Sequence, residues 1–228
     1  IGGRCAYFVY PKNEICFIRI VDICKAQQLP YRVFGKGSNL LCSDDFYEGV
    51  IICLDRYMNE IYFEKEGACV AQAGCSIILL AHEAMKRSFS GLEFASGIPG
   101  TLGGALYMNA GAYRSSISDV LKQVFVYKDG KCEWLNVEEL AYGYRQSRFQ
   151  QERDWIILAG RLQLEKGDQS EIKALMDSRR QRRMDSQPLD KPSAGSTFRN
   201  PENASAWELI DKIGYRGKNI GGAAVSAK

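Results

Sequence analysis

Two glycine turns are the residues of this chain best placed to do chemistry. The first runs Gly35-Lys36-Gly37-Ser38-Asn39, directly after the β-like stretch Tyr31 to Phe34. The second lies in a glycine-rich, nearly uncharged segment from Gly91 to Tyr113 and reads Gly97-Ile98-Pro99-Gly100-Thr101, followed by Gly103 and Gly104. Glycines this close together destabilise a helix or strand interior; what they offer instead is backbone N–H groups that a ligand can approach without meeting a Cβ. Phosphate is the ligand such a nest holds, with hydroxyls on Ser38 and Thr101 and a single cation, Lys36, beside it. On this reading a side chain at Gly103 would intrude on the phosphate path. Neither turn is a standard nucleotide fingerprint: the first lacks the third glycine of a Rossmann turn, and the second lacks the Gly-Lys-Ser/Thr ending of a P-loop. Either one alone is also a plain tight turn with no ligand; the pair points to a large phosphorylated ligand.

Further motifs follow in order. They are Tyr142-Gly-Tyr-Arg-Gln-Ser147, then Gln187-Pro188 with Pro192-Ser-Ala-Gly-Ser-Thr-Phe-Arg-Asn-Pro201, then Gly214-Tyr-Arg-Gly-Lys-Asn-Ile-Gly-Gly-Ala-Ala-Val-Ser226, with Ile1-Gly-Gly3 at the start. Taken singly, the arginine motif is a surface arginine and Ser-Ala-Gly-Ser is a turn sequence. Taken in order with the two glycine turns, the chain resembles the UDP-N-acetylenolpyruvoylglucosamine reductases, the MurB family, and the direct run from the arginine motif to the serine motif resembles its shorter subtype.

The resemblance implies an FAD-dependent oxidoreductase with NADPH as hydride donor, reducing UDP-N-acetylglucosamine enolpyruvate to UDP-N-acetylmuramate. It implies non-covalent FAD on both glycine turns, with Ala110 and Gly111 closing the second loop and Arg182 or Arg183 as phosphate partners. Hydride addition leaves negative charge that spreads into the substrate carboxylate, so a group holding that carboxylate stabilises the transition state. Arg145 matches that role, because guanidinium meets carboxylate through two charge-assisted bonds. Ser196 matches the proton donor; as a weak acid it needs a hydrogen-bonded relay behind it. Asn200 and Arg216 match the positions that hold the sugar nucleotide's diphosphate, with arginine where lysine is more usual. The resemblance also implies a chain shortened at both ends, without the acidic residue of the family's last segment. Two other readings stay open: a flavin- or substrate-binding module without turnover, and another oxidoreductase of the vanillyl-alcohol oxidase type.

With 228 residues the chain can bury a sizeable core. A net charge of +3 argues against a nucleic-acid-coating surface. The basic run Arg179 to Arg183 reads equally well as a solvated helix end. Eight cysteines are scattered without Cys-x-x-Cys spacing or a histidine cluster, which excludes a zinc site or disulfide scaffold and predicts reduced, core-packed thiols. Cys75, beside Gly74, is the one placed to face a ligand. His82 lies in an apolar-periodic stretch and reads as a packed or capped helix residue. No apolar run is long enough to span a membrane and no signal segment is evident, so a soluble, cytoplasmic protein is expected, with no protein partner indicated.

These residues need elements to position them. The pattern predicts strands at 6–10, 31–34, 50–54, 60–63, 69–73, 120–127, 131–135 and 155–163, with Asp129-Gly130 as a hairpin turn. Helices are predicted at 13–28, with Ile15, Ile18, Val21, Ile23 and Cys24 mostly inward, and at 76–85, 169–184 and 204–213. The fold class is α+β. The resemblance makes residues 1–185 a two-lobed FAD-binding domain of the vanillyl-alcohol oxidase (PCMH) type, and 186–228 the start of a smaller α+β substrate-binding domain.

Overall fold

The computed structural model describes residues 2–188 and 190–227; Ile1 of the opening motif, Leu189 in the proline-punctuated link and Lys228 lie outside them. The chain divides into two compact units, Ile1–Met176 and Asp177–Lys228.

The first unit starts with β1 (Arg4–Val9), α1 (Glu14–Ala26), β2 (Tyr31–Phe34) and β3 (Phe46–Cys53). The strands form a parallel sheet in the order β1-β3-β2. Helix α1 begins where the Asn13 side chain accepts from the Cys16 amide at 2.9 Å, with Glu14 and Lys25 placed to suit the helix dipole. Phe17, Val21 and Cys24, spaced i, i+4, i+7, form its buried face. Ile15 and Ile23, expected to point inward, lie off that face and are exposed.

Next come β4 (Ile61–Phe63), β5 (Ala68–Gln72), α2 (Ile77–Lys86), β6 (Phe89–Ser90), α3 (Leu102–Met108), β7 (Gly111–Ala112) and β8 (Ser115–Ser116). The unit continues through β9 (Leu121–Lys128), β10 (Lys131–Asn136), β11 (Ile156–Gln163) and β12 (Glu165–Lys166) into α4 (Gln169–Ser186), inside which the boundary between the units falls. A five-stranded antiparallel sheet, ordered β10-β9-β11-β5-β4, carries the main core. The β9–β10 turn has Asp129 and Gly130 both at positive φ, 49° and 77°, with Lys128 and Lys131 paired, as the Asp-Gly signal predicts. Helix α2 buries Ile77, Leu80, Ala81, Ala84 and Met85 at i, i+3, i+4, i+7, i+8. Its larger residues are each worth about 1.5–3 kcal/mol of transfer free energy. His82 is on the opposite, exposed face.

Helix α3 overturns the expectation that the second glycine segment is non-helical. Thr101 caps it, accepting from the Gly104 amide at 3.3 Å, so Gly103 and Gly104 fall in the first turn. Glycine costs most in a helix interior, and first-turn amides have no intrahelical partner in any case. The Gly103 amide instead donates to Ala73 O at 2.8 Å. A Cβ on Gly103 would sit 2.9 Å from Ala73 Cβ, so glycine there serves packing against the end of β5, and the expected clash with phosphate is replaced by a clash with the sheet. At the other end α3 lies on β11 at Gly160, where a Cβ would stand 3.0 Å from Leu106 Cδ1.

The second unit holds the end of α4, α5 (Ala206–Lys212) and the hairpin β13 (Asn219–Ile220) and β14 (Ala223–Ala224). A capping box between Ser205 and Glu208 starts α5. None of its described residues is buried, and Trp207 and Ile213 are 63% and 67% exposed. Among the described residues no helix is long and apolar enough to cross a membrane.

Candidate functional site

The structure brings the two glycine turns into contact. A Cβ on Gly35 would collide with the Thr101 side chain, with Cγ2 at 3.0 Å, and one on Gly100 would stand 3.5 Å from Ser38 Oγ. Residues separated by more than sixty positions therefore share one rim, anchored where Ser76 and Thr101 form a bridge through Ile77 N to Gly100 O and Leu102 N to Cys75 O. On that rim, among the described residues, the N–H groups of Lys36, Gly37, Ser38 and Asn39 have no protein acceptor, nor do those of Gly100 and Thr101. The first four are exposed; Thr101 is only 3% exposed, so its amide is an orphan that needs a partner. Gly37 has φ +67° and open space where a Cβ would go, which leaves its backbone approachable. Amides without protein acceptors along a rim that is open at Gly37 fit a phosphate-bearing group.

Not every glycine of the second loop serves that rim. The amides of Ile98, Leu102, Gly103 and Gly104 are bonded within the protein. Gly111, buried, has no room for a Cβ because the backbone of Ser115 and Ser116 passes against it. Its role is to close the β7–β8 hairpin, whose turn residues Tyr113 and Arg114 both take positive φ.

Arg145 is placed against the far end of the same loop. Its guanidinium donates to Asn109 O at 3.2 Å and to Gly111 O, and stacks over the Tyr144 ring. Two of its five N–H groups are engaged in this way, so the head is held in orientation with three donors left for a carboxylate. The C-terminal end of α3 adds favourable negative potential. Sequence reasoning missed the backbone here: Arg145 has φ 55°, at the third position of a turn closed by Gly143 N to Gln146 O and Gln146 N to Gly143 O, both 3.1 Å. Such a position favours glycine or asparagine. It also missed Asn109, which caps α3 at φ 42°; asparagine after a helical run is a known left-handed cap signal. Helix α3, seven residues between the Thr101 and Asn109 caps, spans roughly 10 Å from the rim to the carbonyl of Asn109 that Arg145 meets.

The remaining candidates lie in the second unit. Arg182 and Arg183 are on α4, Arg182 exposed and Arg183 donating to Gln187 Oε1 at 3.1 Å. Ser196 sits in an exposed irregular segment after Gly195, whose φ is +69°. The Asn200 side chain accepts from the Ala206 amide at 2.9 Å at the start of α5, and Arg216 Nε donates to Ala227 O at 2.9 Å. Among the described residues no cluster of histidine, cysteine and carboxylate groups could hold a metal.

Cys75 does not face the rim: it is fully buried, with its thiol on Ser76 O, and burial pushes the thiol up to about 12. Cys69 is likewise pushed up to about 12 and Cys53 to about 11, while Cys42 and Cys132 are exposed rather than core residues. At pH 8 such thiols are ionised in roughly one molecule in 10³ (Cys53) to 10⁴ (Cys69, Cys75). In native protein a disulfide reagent should therefore label Cys42 and Cys132 and spare Cys53, Cys69 and Cys75 until unfolding; prompt labelling of Cys75 would contradict the burial. The unfolded chain releases these protons first, so the three thiols lower native stability increasingly as pH rises above about 9.

Comparisons with known proteins agree with the geometry. Residues 5–136 match the family model described as FAD binding domain, and residues 187–228 match the C-terminal domain of UDP-N-acetylenolpyruvoylglucosamine reductase. The chain is 42% identical over 227 residues to the UDP-N-acetylenolpyruvoylglucosamine reductase of Anoxybacillus flavithermus, and 40% identical to that of Bacillus subtilis; in both cases 99% of this chain aligns with 75% of the relative. The crystal structure of the enzyme from Thermus caldophilus superposes with a TM-score of 0.82 at 34% identity, covering 96% of this chain and 77% of that one. Cholesterol oxidase from Brevibacterium sterolicum, at 14% identity and a TM-score of 0.50, shares the fold over 70% of this chain. Fold, cofactor-domain match and identity along 99% of this chain converge: the chain belongs to the UDP-N-acetylenolpyruvoylglucosamine reductase family and carries an FAD-binding domain.

Proposed function

We propose that this chain reduces the enolpyruvyl ether of UDP-N-acetylglucosamine to UDP-N-acetylmuramate, a step of peptidoglycan precursor synthesis, with FAD held at the paired glycine turns and NADPH as reductant. The contact of the two turns, with free amides along their shared rim, carries the reading. Bound there, FAD supplies a carrier that accepts hydride from nicotinamide and delivers it to an alkene. The chain's own residues do the rest. The amides of Lys36–Asn39, Gly100 and Thr101 hold phosphate, with Arg182 or Arg183 as further partners. Arg145 binds the substrate carboxylate where charge develops, Ser196 holds the proton for the neighbouring carbon, and Asn200 and Arg216 bind the sugar nucleotide's diphosphate. Residues 1–185 then serve flavin and 186–228 substrate. Eight free cysteines suit a reducing compartment, and we place the enzyme in the cytoplasm.

The test is an anaerobic absorbance spectrum of the purified chain with FAD. NADPH should bleach the flavin and the enolpyruvyl substrate should restore it; Ser196→Ala should impair only the restoration. Acid precipitation should leave the colour in solution, since the flavin is not covalently attached. A chain that binds no flavin, or whose reduced flavin ignores the substrate, overturns the reading. The absence of a buried core among the described residues of the second unit favours one competitor, a flavin-binding module without turnover. That module would bleach without being restored.

A further inference from the structure

We infer that Asn109 is the positioning residue for Arg145, holding both the head of that arginine and the turn that carries it. Asn109 is 5% exposed and sits at one node between three segments. Its carbonyl accepts from Arg145 Nη1 at 3.2 Å; its Nδ2 donates to Gly143 O at 2.9 Å; its Oδ1 accepts from the Ser118 amide at 3.2 Å. Gly143 O is also the acceptor for Gln146 N, so the Asn109 amide braces the bond that closes the Arg145 turn. Beyond Ser118, the Ser118 hydroxyl lies 3.0 Å from that of Ser116, which donates to Asp119 at 2.9 Å, so the node is backed by a charged cap.

Physical cost explains why such a brace is needed. Arg145 and Asn109 both hold left-handed backbone, at φ 55° and 42°. For asparagine the cost is small, but for arginine it is of order 1–2 kcal/mol, and a residue stays there only where its surroundings fix it. Gln150 Nε2 adds a second hold, donating to Arg145 O at 3.1 Å and also lying 3.3 Å from Tyr107 O. Glycine at position 145 would relieve the strain but would remove the guanidinium, so the strained turn is maintained for the side chain it presents. Asparagine at 109 supplies three things at once: tolerance of left-handed φ, a donor to the turn, and an acceptor that ties it to the 116–119 segment. Aspartate, which shares the tolerance and the acceptor, lacks the donor.

The inference rests on reading Arg145 as the carboxylate-binding group, and its test separates the two. Two variants are used. Asn109→Gly keeps the backbone conformation and removes both side-chain bonds; Asn109→Asp keeps size and the acceptor, loses the donor to Gly143 and adds a negative charge near Arg145, so Asn109→Gly is the variant that isolates the lost bonds. In each, amide hydrogen exchange at Gly143 and Gln146 should rise about fivefold or more, as expected when one bond bracing a turn is lost, while exchange in β9 and β11 and FAD content stay unchanged. Restoration of reduced flavin by the enolpyruvyl substrate should slow in both variants. In an Arg145→Ala background the Asn109 changes should add nothing to that slowing. Unchanged exchange at Gln146, or rate losses that multiply with that of Arg145→Ala, overturns the positioning role. A protein with faster exchange at Gln146 but no enolpyruvyl reduction in any form retains Asn109 as the brace of the turn and discards the functional reading instead.

Discussion

Arg145→Ala is expected to slow reduction of the enolpyruvyl substrate by about 10²-fold or more, the usual loss when a preorganised charge-assisted contact to developing negative charge is removed. Reduction of bound flavin by NADPH should be almost unaffected, because that step does not involve the substrate carboxylate that Arg145 is proposed to hold. Rapid-mixing kinetics of the two half-reactions makes the comparison. Equal slowing of both would show that Arg145 organises the flavin or the fold instead, through its bonds to Asn109 O and Gly111 O. Stability provides the control. Arg145→Gly should be about 1 kcal/mol more stable than Arg145→Ala, since only glycine occupies φ 55° without penalty. Both should be equally poor catalysts.

The second large effect is at the meeting point of the turns. Gly35→Val should lower flavin affinity at least tenfold and cost about 1–3 kcal/mol of stability, because its side chain needs the space of Thr101, itself buried and committed as the α3 cap. Gly100→Ala separates ligand space from protein space. Its Cβ meets only Ser38 Oγ at 3.5 Å, an ordinary contact, so the apo fold should tolerate it. If Gly100→Ala keeps its melting temperature and loses FAD by equilibrium titration, the space above Gly100 belongs to the ligand. Undiminished FAD affinity in both variants would remove the paired turns from the cofactor site.

Local pattern was enough to locate most elements. Tyr31–Phe34 is a strand over the stretch its composition marks, and the apolar spacing of α2 identifies its buried face. The glycine segment was legible as a place of backbone access but not in its division of labour. Whether a glycine yields to a ligand or to a neighbour depends on residues distant in sequence: Ala73 for Gly103, Thr101 for Gly35. The same limit hid α3, since glycine in a first turn and glycine in a loop look alike along the chain. The family resemblance singles out Arg145, but its left-handed backbone and the bond from the Asn109 amide to its turn are properties of an assembled structure, set by contacts 34 residues apart.

The position of β5 in the five-stranded sheet also bears on how the protein is made. Its neighbour on one side is β11, and the Gln163 side chain donates to Glu66 O across 97 positions of chain. At about 5–20 residues per second of synthesis, β5 waits roughly 5–20 s with an apolar edge open before its partner exists. The ribosome-bound intermediate therefore carries β5, of sequence Ala-Cys-Val-Ala-Gln, paired with β4 on one edge and open on the edge that β11 will cover. Closure of β11 onto β5 is the long-range step that joins β4-β5 to β9-β10 in the five-stranded sheet. Folding rate should follow substitutions in β11 more than those in the early, locally connected β1-α1-β2 segment.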